Sequence, residues 1–130
     1  MNFVDTNVLV YFGDAGSAKS ERAAKIVRAG GIVSVQVLNE FANVARTKNR
    51  LPWETIGQSL DLVKTLFEVR ALILATHEAA IALAQRHGLN IYDALIVASA
   101  LEAGCDTLYT EDMQHDLVVE GQLRLVNPFA

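Results

Sequence analysis

The sequence predicts an α/β domain of three layers, α/β/α, with helices covering both faces of a central, mostly parallel sheet. Several short apolar segments are separated by helical segments of about ten residues or more, a pattern typical of repeated βαβ units. The 130-residue chain is 52% hydrophobic and has only 2 Pro and 8 Gly, so it can bury a substantial core. We therefore expect residues 1–130 to form a single domain.

The first half of the chain is predicted to contain strands and helices in alternation. In order these are a strand at 2–4, a short helical stretch at 8–12, a helix from Ser17 or Ser20 to Arg28, a strand at 32–35, a helix capped by Ser34 and running to Arg46, and a helix from Trp53 to Phe67. Gly30 and Gly31 are typical of a helix end. Ile56, Leu60 and Val63 recur at helical spacing and support the last helix of this half.

The second half continues the alternation. In order its predicted elements are a strand or extended link at 71–74, a helix at 77–87 capped by Thr76, a helix from Tyr92 to Ala103, a strand at 107–110 and a strand at 123–126. Gly88 and Gly104 follow the two helices directly, where glycine commonly ends a helix.

Composition excludes several classes of protein. No apolar run approaches the roughly 18 residues that a membrane-spanning helix needs, and no basic segment precedes the first apolar stretch as in a signal peptide. A single cysteine, Cys105, cannot form an internal disulfide, so we expect a cytoplasmic protein. The net charge of −4 argues against coating nucleic acid through charge alone, but it does not exclude a nuclease.

Four acidic residues follow or adjoin the predicted strands. Asp5 comes directly after the first strand, and the nearest basic residue in the sequence is Lys19. Asp112 follows the strand at 107–110, Glu40 lies on the helix after the second strand, and Asp93 lies at the start of its helix. Because ligands of parallel sheets bind outside the carboxyl ends of the strands, we expect these four carboxylates to face one crevice.

Carboxylates gathered in one crevice repel each other unless a cation binds between them. Ligands that are all oxygen favour Mg²⁺ or Mn²⁺, and four acids can hold one ion or two. Such an ion lowers the pKa of water and offsets the charge of a phosphate, so the predicted chemistry is phosphodiester hydrolysis. Asp5, Glu40, Asp93 and Asp112 are therefore the predicted metal ligands and catalytic residues.

Polar neighbours of these acids are candidates for supporting roles. Asn7 could contact a water of the site or cap the short helix, and Thr110 should point the same way as Asp112, two residues later on an extended segment. Asp116 is a candidate fifth acid. Glu111 should point the opposite way and is interpreted as a solvated surface charge.

A basic segment, "ARTKNR" at 45–50, follows the helix that bears Glu40. Arg46, Lys48 and Arg50 could contact the phosphates of a nucleic-acid substrate, or they could be ordinary cations at a helix end.

Four motifs resemble the PIN-domain family, and most closely its toxin branch, the VapC ribonucleases of VapBC toxin–antitoxin modules. They are "VDTNVLV" at 4–10, "LNEF" at 38–41, "IYDALIVASA" at 91–100 and "LYTEDMQHD" at 108–116. The resemblance implies a Mg²⁺- or Mn²⁺-dependent endoribonuclease that is inhibited by a small antitoxin protein and is usually dimeric. Its RNA, which Arg46, Lys48 and Arg50 could contact, should be single-stranded or looped, since such a backbone can bend into a pocket. Carried over residue by residue, it implies the acidic quartet Asp5, Glu40, Asp93 and Asp112.

Two other functions compete with this interpretation. A haloacid-dehalogenase-like phosphatase also has an aspartate after its first strand, but it needs a second one where this chain has Asn7. A catalytically silent PIN-like binding module would be indicated by loss of an acid from the quartet. We also expect a homodimer without a membrane anchor, with Trp53, Leu60 and Phe67 as candidates for an exposed apolar patch.

Overall fold

Six strands form one sheet in the computed structural model, which describes residues 1–130. They are β1 Asn2–Val4, β2 Gly31–Ser34, β3 Phe67–Arg70, β4 Thr107–Tyr109, β5 Val118–Val119 and β6 Leu123–Val126. The strand order is β3-β2-β1-β4-β6-β5, and every neighbouring pair is parallel except β5 with β6. The prediction of a central, mostly parallel sheet is confirmed.

Six helices connect the strands. They are α1 Thr6–Phe12, α2 Ser20–Ala29, α3 Val35–Thr47, α4 Trp53–Leu66, α5 Leu74–His87 and α6 Ile91–Glu102. The chain moves outward from β1 to β2 and β3 through α1–α4, then returns through α5 and α6 to β4 on the other side of β1. The connections run in opposite directions and are expected to be right-handed. They therefore put α1–α4 on one face of the sheet and α5 and α6 on the other, as the three-layer prediction requires. None of the helices combines the length and the apolar composition needed to cross a membrane.

The turn from α2 into β2 depends on a glycine pair. Gly30 and Gly31 have φ values of +73° and +133°, which residues with a side chain rarely adopt. A Cβ atom on Gly31 would lie 2.4 Å from the backbone oxygen of Asn2. Glycine is therefore needed where β2 approaches β1.

The central strands lie in one continuous apolar core. Phe3 and Val4 of β1, Leu108 of β4 and Leu125 of β6 are fully buried in a cluster of 27 buried apolar residues. Cys105 belongs to the same cluster, in agreement with a packing role for this thiol. This packing holds β1 and β4 side by side, so the residues that follow the two strands start from fixed positions.

Of the two alternatives predicted for 71–74, the strand was wrong: residues 71–73 form a link without regular structure, and the strand, β3, lies before it at Phe67–Arg70. Phe67, which was assigned to the preceding helix, begins the strand, and burial alternates along it as in a strand with one exposed face. The apolar residues Ile73 and Leu74 are largely exposed, and Leu74 already begins α5. Apolar composition alone could not distinguish the strand from the link that follows it.

The apolar patch predicted for α4 does not form. Trp53 is 62% exposed, but Leu60 is half-buried and Phe67 is buried in β3. The short antiparallel strand β5 was not predicted, since its two residues carry too little pattern to identify. Thr76 was wrongly predicted as the cap of α5, because this helix begins three residues earlier, at Leu74, with Ile73 as its N-cap. Elsewhere the element bounds differ by one or two residues; for example, β2 spans 31–34 and α6 begins at Ile91 rather than Tyr92.

Candidate active site

The site lies where the direction of the sheet connections reverses, between β1 and β4. A crevice forms at such a point outside the carboxyl ends of the strands. Val4 is paired with Tyr109 in the ladder, so the next residues, Asp5 and Thr110, emerge side by side. The Thr110 hydroxyl donates a hydrogen bond of 2.8 Å to Asp5 Oδ2. The β1–β4 register therefore places the first carboxylate of the site.

Asp5 is a buried carboxylate without a cationic partner. It is 5% exposed, and no Lys or Arg forms an ion pair with it. Asp5 is also the N-cap of α1, and its Oδ1 accepts a hydrogen bond of 2.7 Å from the backbone N–H of Thr6. Burial raises the pKa of Asp5 from 3.8 to about 6; hydrogen bonds from Thr110 and Thr6 lower it in part, and the charges of Glu40 and Asp112 raise it further.

Glu40 reaches the same place from α3. Ser34 caps this helix by accepting a hydrogen bond of 3.4 Å from the backbone N–H of Val37, as predicted. Glu40 Oε1 accepts hydrogen bonds from the Thr6 hydroxyl at 3.1 Å and from Gln36 Nε2 at 3.3 Å. Neither donor was among the predicted site residues. Gln36 precedes Glu40 by four residues on one helix, and this spacing could have revealed it.

Asp93 and Asp112 complete the quartet. Burial raises the pKa of Asp93, the charges of Asp112 and Glu40 raise it further, and a hydrogen bond from Asn90 lowers it in part. Asp112 Oδ2 accepts a hydrogen bond of 3.0 Å from Asn7 Nδ2. Since Glu40 and Asp112 act electrostatically on both Asp5 and Asp93, the structure brings all four acids to one region.

The chemistry of this region fits a hard divalent cation. Four carboxylates supply only oxygen donors, and none of them is neutralised by a Lys or Arg ion pair. No three Asp, Glu, His or Cys side chains are already arranged to hold a metal ion, so at least one acid of the quartet must move when an ion binds. The buried charge of Asp5 is the clearest sign of fit, because a cation would remove the cost of ionising it.

The predicted supporting residues separate into two groups. Asn7 and Thr110 lie among the acids, where Asn7 contacts Asp112 and Thr110 contacts Asp5. Thr110 also accepts a hydrogen bond of 3.3 Å from the backbone N–H of Asp112. Asp116 lies elsewhere: it has a left-handed backbone with φ of +68°, and its carboxylate is 3.6 Å from Arg124.

Of the three predicted RNA-binding cations, the structure brings only Lys48 to the acids. A groove of about 430 Å³ is lined by Lys48 and Asn49 as well as by Glu40 and Asp112. Arg46 instead donates a hydrogen bond of 3.1 Å to the backbone oxygen of Leu51 and lies 5.1 Å from the centre of the Trp53 ring. Arg50 has a left-handed backbone, φ +54°, at the turn after α3 and does not line this groove.

The interpretation of Glu111 as a solvated surface charge was wrong. Its side chain is only 22% exposed and forms an ion pair with Lys19. Tyr11 donates a hydrogen bond of 2.7 Å to the same carboxylate, and the Lys19 ammonium lies 4.7 Å from the centre of the Tyr11 ring. The carboxylate meets Tyr11 of α1 and Lys19 at the start of α2, and so ties the loop that carries Asp112 to both helices.

We expect Lys19→Met to lower the melting temperature by about 2–5 °C, because it leaves the half-buried Glu111 without its cation. Lys25→Met is the matched control, since Lys25 lies on α2 and has no ion pair. Thermal unfolding of the two variants beside the wild type measures the difference. Equal melting temperatures for Lys19→Met and Lys25→Met would show that the Glu111 pair contributes nothing to stability.

Comparison with known proteins gives one family and several similar folds. The family model described as the PIN domain matches residues 3–120. No curated protein sequence matches the chain significantly. Among solved structures, the chain resembles a toxin–antitoxin complex from Klebsiella pneumoniae, with a TM-score of 0.75, 20% identity and coverage of 99% of this chain and 98% of that one.

Two further structures are similar. One is VapC20 of Mycobacterium tuberculosis, a toxin that cleaves the sarcin–ricin loop, with a TM-score of 0.71, 22% identity and coverage of 86% of this chain and 90% of that one. The other is VapBC2 of Rickettsia felis bound to promoter DNA, with a TM-score of 0.67, 18% identity and coverage of 97% and 98%. At these identities the likeness establishes the fold.

Proposed function

The chain belongs to the PIN domain family, and we propose that it is a metal-dependent endoribonuclease, the toxin of a type II toxin–antitoxin system. The observation that carries the proposal is the buried Asp5 carboxylate, which has no cationic partner and lies among three other acids at the switch point of the sheet. Similarity to VapC20, a toxin that cleaves the sarcin–ricin loop, supports RNA as the substrate class.

The cofactor that we propose is Mg²⁺ or Mn²⁺, held by Asp5, Glu40, Asp93 and Asp112. Oxygen-only ligands favour these hard ions, and one or two could be accommodated. When bound, such an ion lowers the pKa of water and offsets the negative charge of the phosphate.

Hydrogen bonds from neighbouring residues hold the carboxylates of the site in place. Thr110 and the Thr6 backbone hold the two oxygens of Asp5, and Asn7 holds Asp112. Glu40 receives both of its hydrogen bonds on Oε1, so its Oε2 is free of protein donors. These hydrogen bonds restrict rotation of the acids and reduce the rearrangement needed for catalysis.

The groove beside the acids is the proposed path of the RNA backbone. Lys48 lines it together with Asn49, and the ammonium has no carboxylate partner in the protein. We propose that Lys48 binds a phosphate next to the one that is cleaved. Single-stranded or looped RNA suits the site, because its backbone can bend toward the buried Asp5.

A small antitoxin protein is the proposed partner. The similar structures from Klebsiella pneumoniae and Rickettsia felis are a toxin–antitoxin complex and VapBC2. Homodimer formation stays a prediction, although not through the α4 patch first expected. The large apolar side chains that are more than half exposed are Met1, Trp53, Ile73, Leu74 and Tyr92.

Cleavage of a fluorescent single-stranded RNA tests the function directly. We expect the purified protein to cut it with Mg²⁺ or Mn²⁺ and to stop when excess EDTA is added, because the acids cannot offset phosphate charge alone. Calorimetry with Mn²⁺ on the same preparation distinguishes an active enzyme from a catalytically silent binding module. Metal binding without cleavage of any RNA would indicate a catalytically silent PIN-like module, and full activity in EDTA would contradict the metal-dependent mechanism.

A further inference from the structure

Gln36 connects the two helices that carry acids of the site. Its side chain is 8% exposed, and Nε2 donates hydrogen bonds both to Glu40 Oε1 at 3.3 Å and to the backbone oxygen of Tyr92 at 3.1 Å. Tyr92 directly precedes Asp93 in the first turn of α6. We propose that Gln36 is a positioning residue that sets the Glu40 carboxylate relative to α6 and Asp93; this inference rests on the proposed metal-dependent function.

The orientation of the Gln36 amide is determined by its partners. Both groups that face Nε2, a carboxylate and a backbone carbonyl, can only accept hydrogen bonds. Turning the amide over would place Oε1 against two other oxygens. Gln36 Oε1 is buried and has no partner of its own. A buried acceptor without a donor is unfavourable for folding. The presence of this amide is therefore better explained by its hydrogen bond to Glu40 than by a contribution to the stability of the fold.

The two hydrogen bonds to Glu40 fall on one oxygen. Thr6 and Gln36 both donate to Oε1, whereas Oε2 accepts none. Two donors on one oxygen restrict rotation of the carboxylate and leave the other oxygen available to a cation. Removing Gln36 would leave a single donor, about which the carboxylate can turn.

The need for such a contact follows from the fold. Asp5 and Asp112 follow the neighbouring strands β1 and β4, so the backbone ladder determines their separation. Glu40 and Asp93 instead lie on α3 and α6, which belong to the two groups of helices on opposite faces of the sheet. The hydrogen bond from Gln36 to Tyr92 is the one that joins these two helices.

The test begins with Gln36→Met, which keeps an unbranched side chain of similar length and removes both hydrogen bonds. We expect Mn²⁺ affinity, measured by calorimetry, to fall about tenfold or more, as for other residues that orient metal ligands. Unfolding without metal should be unchanged. The matched control is Asn39→Ala, since Asn39 is an exposed neighbour of Glu40 on α3 with no side-chain hydrogen bond, and it should bind Mn²⁺ like the wild type.

A double-mutant cycle then separates positioning from a general structural role. If Gln36 acts through Glu40, Gln36→Met should cause no further loss of Mn²⁺ affinity in a Glu40→Gln background. Losses that add in the double variant, or wild-type affinity in Gln36→Met, would overturn the inference while leaving the proposed function intact. A wild-type protein that neither binds Mn²⁺ nor cleaves RNA would overturn both.

Discussion

Asp5→Asn is expected to lower the rate of RNA cleavage at least about a thousandfold, which corresponds to roughly 4 kcal/mol of transition-state stabilisation. The reason is that Asp5 is the most buried acid of the site and lies directly beside β4 and the Asp112 loop. An amide there contributes no charge to hold a cation. Initial rates on a fluorescent single-stranded RNA at saturating Mn²⁺ measure the effect.

The same substitution should preserve the fold. The asparagine oxygen can still accept the hydrogen bond from Thr6 that caps α1, and the Thr110 hydroxyl can accept one from the new amide. Asp61→Asn is the control, because Asp61 is an exposed carboxylate on α4 and its loss should leave the rate unchanged. An Asp5→Asn enzyme that is folded and as active as the wild type would refute the proposed role of Asp5.

In the absence of metal, ionisation of Asp5 is expected to destabilise the protein. Its pKa is raised from 3.8 to about 6, mainly by burial. The protonated form is therefore preferred in the folded state, and the stability it contributes is complete below pH 4 and is lost as the pH rises through about 6. A shift of this size corresponds to about 3 kcal/mol in the free energy of unfolding.

Urea unfolding in EDTA, measured between pH 4.5 and about 7.5, tests this expectation for the wild type and Asp5→Asn. The unfolding free energy of the variant minus that of the wild type should increase with pH and level off above about pH 7. Asp61→Asn corrects for the general effect of removing one negative charge. If the difference does not change with pH, the burial of Asp5 carries no electrostatic cost. Adding Mn²⁺ should stabilise the wild type more than the variant, since a ligand stabilises the state that binds it.

Much of the architecture could be predicted from local patterns. The helices that begin at Ser34 and end near Gly88 and Gly104 were identified because capping residues act on the backbone next to them. The boundary between α4 and β3 could not be found this way. Phe67 continues the helical spacing of α4 and also begins an alternating strand, and only pairing with Gly31 in β2 decides between the two.

For the candidate site, the four acids and their positions near the ends of the strands could be predicted from the chain, because carboxyl ends of parallel strands share one edge. The sequence also predicted Lys48 as an RNA-binding cation, but it could not distinguish Lys48, which lines the groove beside the acids, from Arg46, which turns toward Trp53. Whether the four acids bind metal stays a prediction that the experiments above address.

The distant side chains that hold Glu40 and Glu111 became evident only in the folded protein. Thr6 donates to Glu40, and Lys19 and Tyr11 hold Glu111, which the sequence indicated to be an exposed charge. Caps and strand patterns depend on residues a few positions apart, so they can be read from the chain. Hydrogen bonds between residues 34 to 100 positions apart depend on how helices pack against the sheet, and that packing is a property of the whole fold.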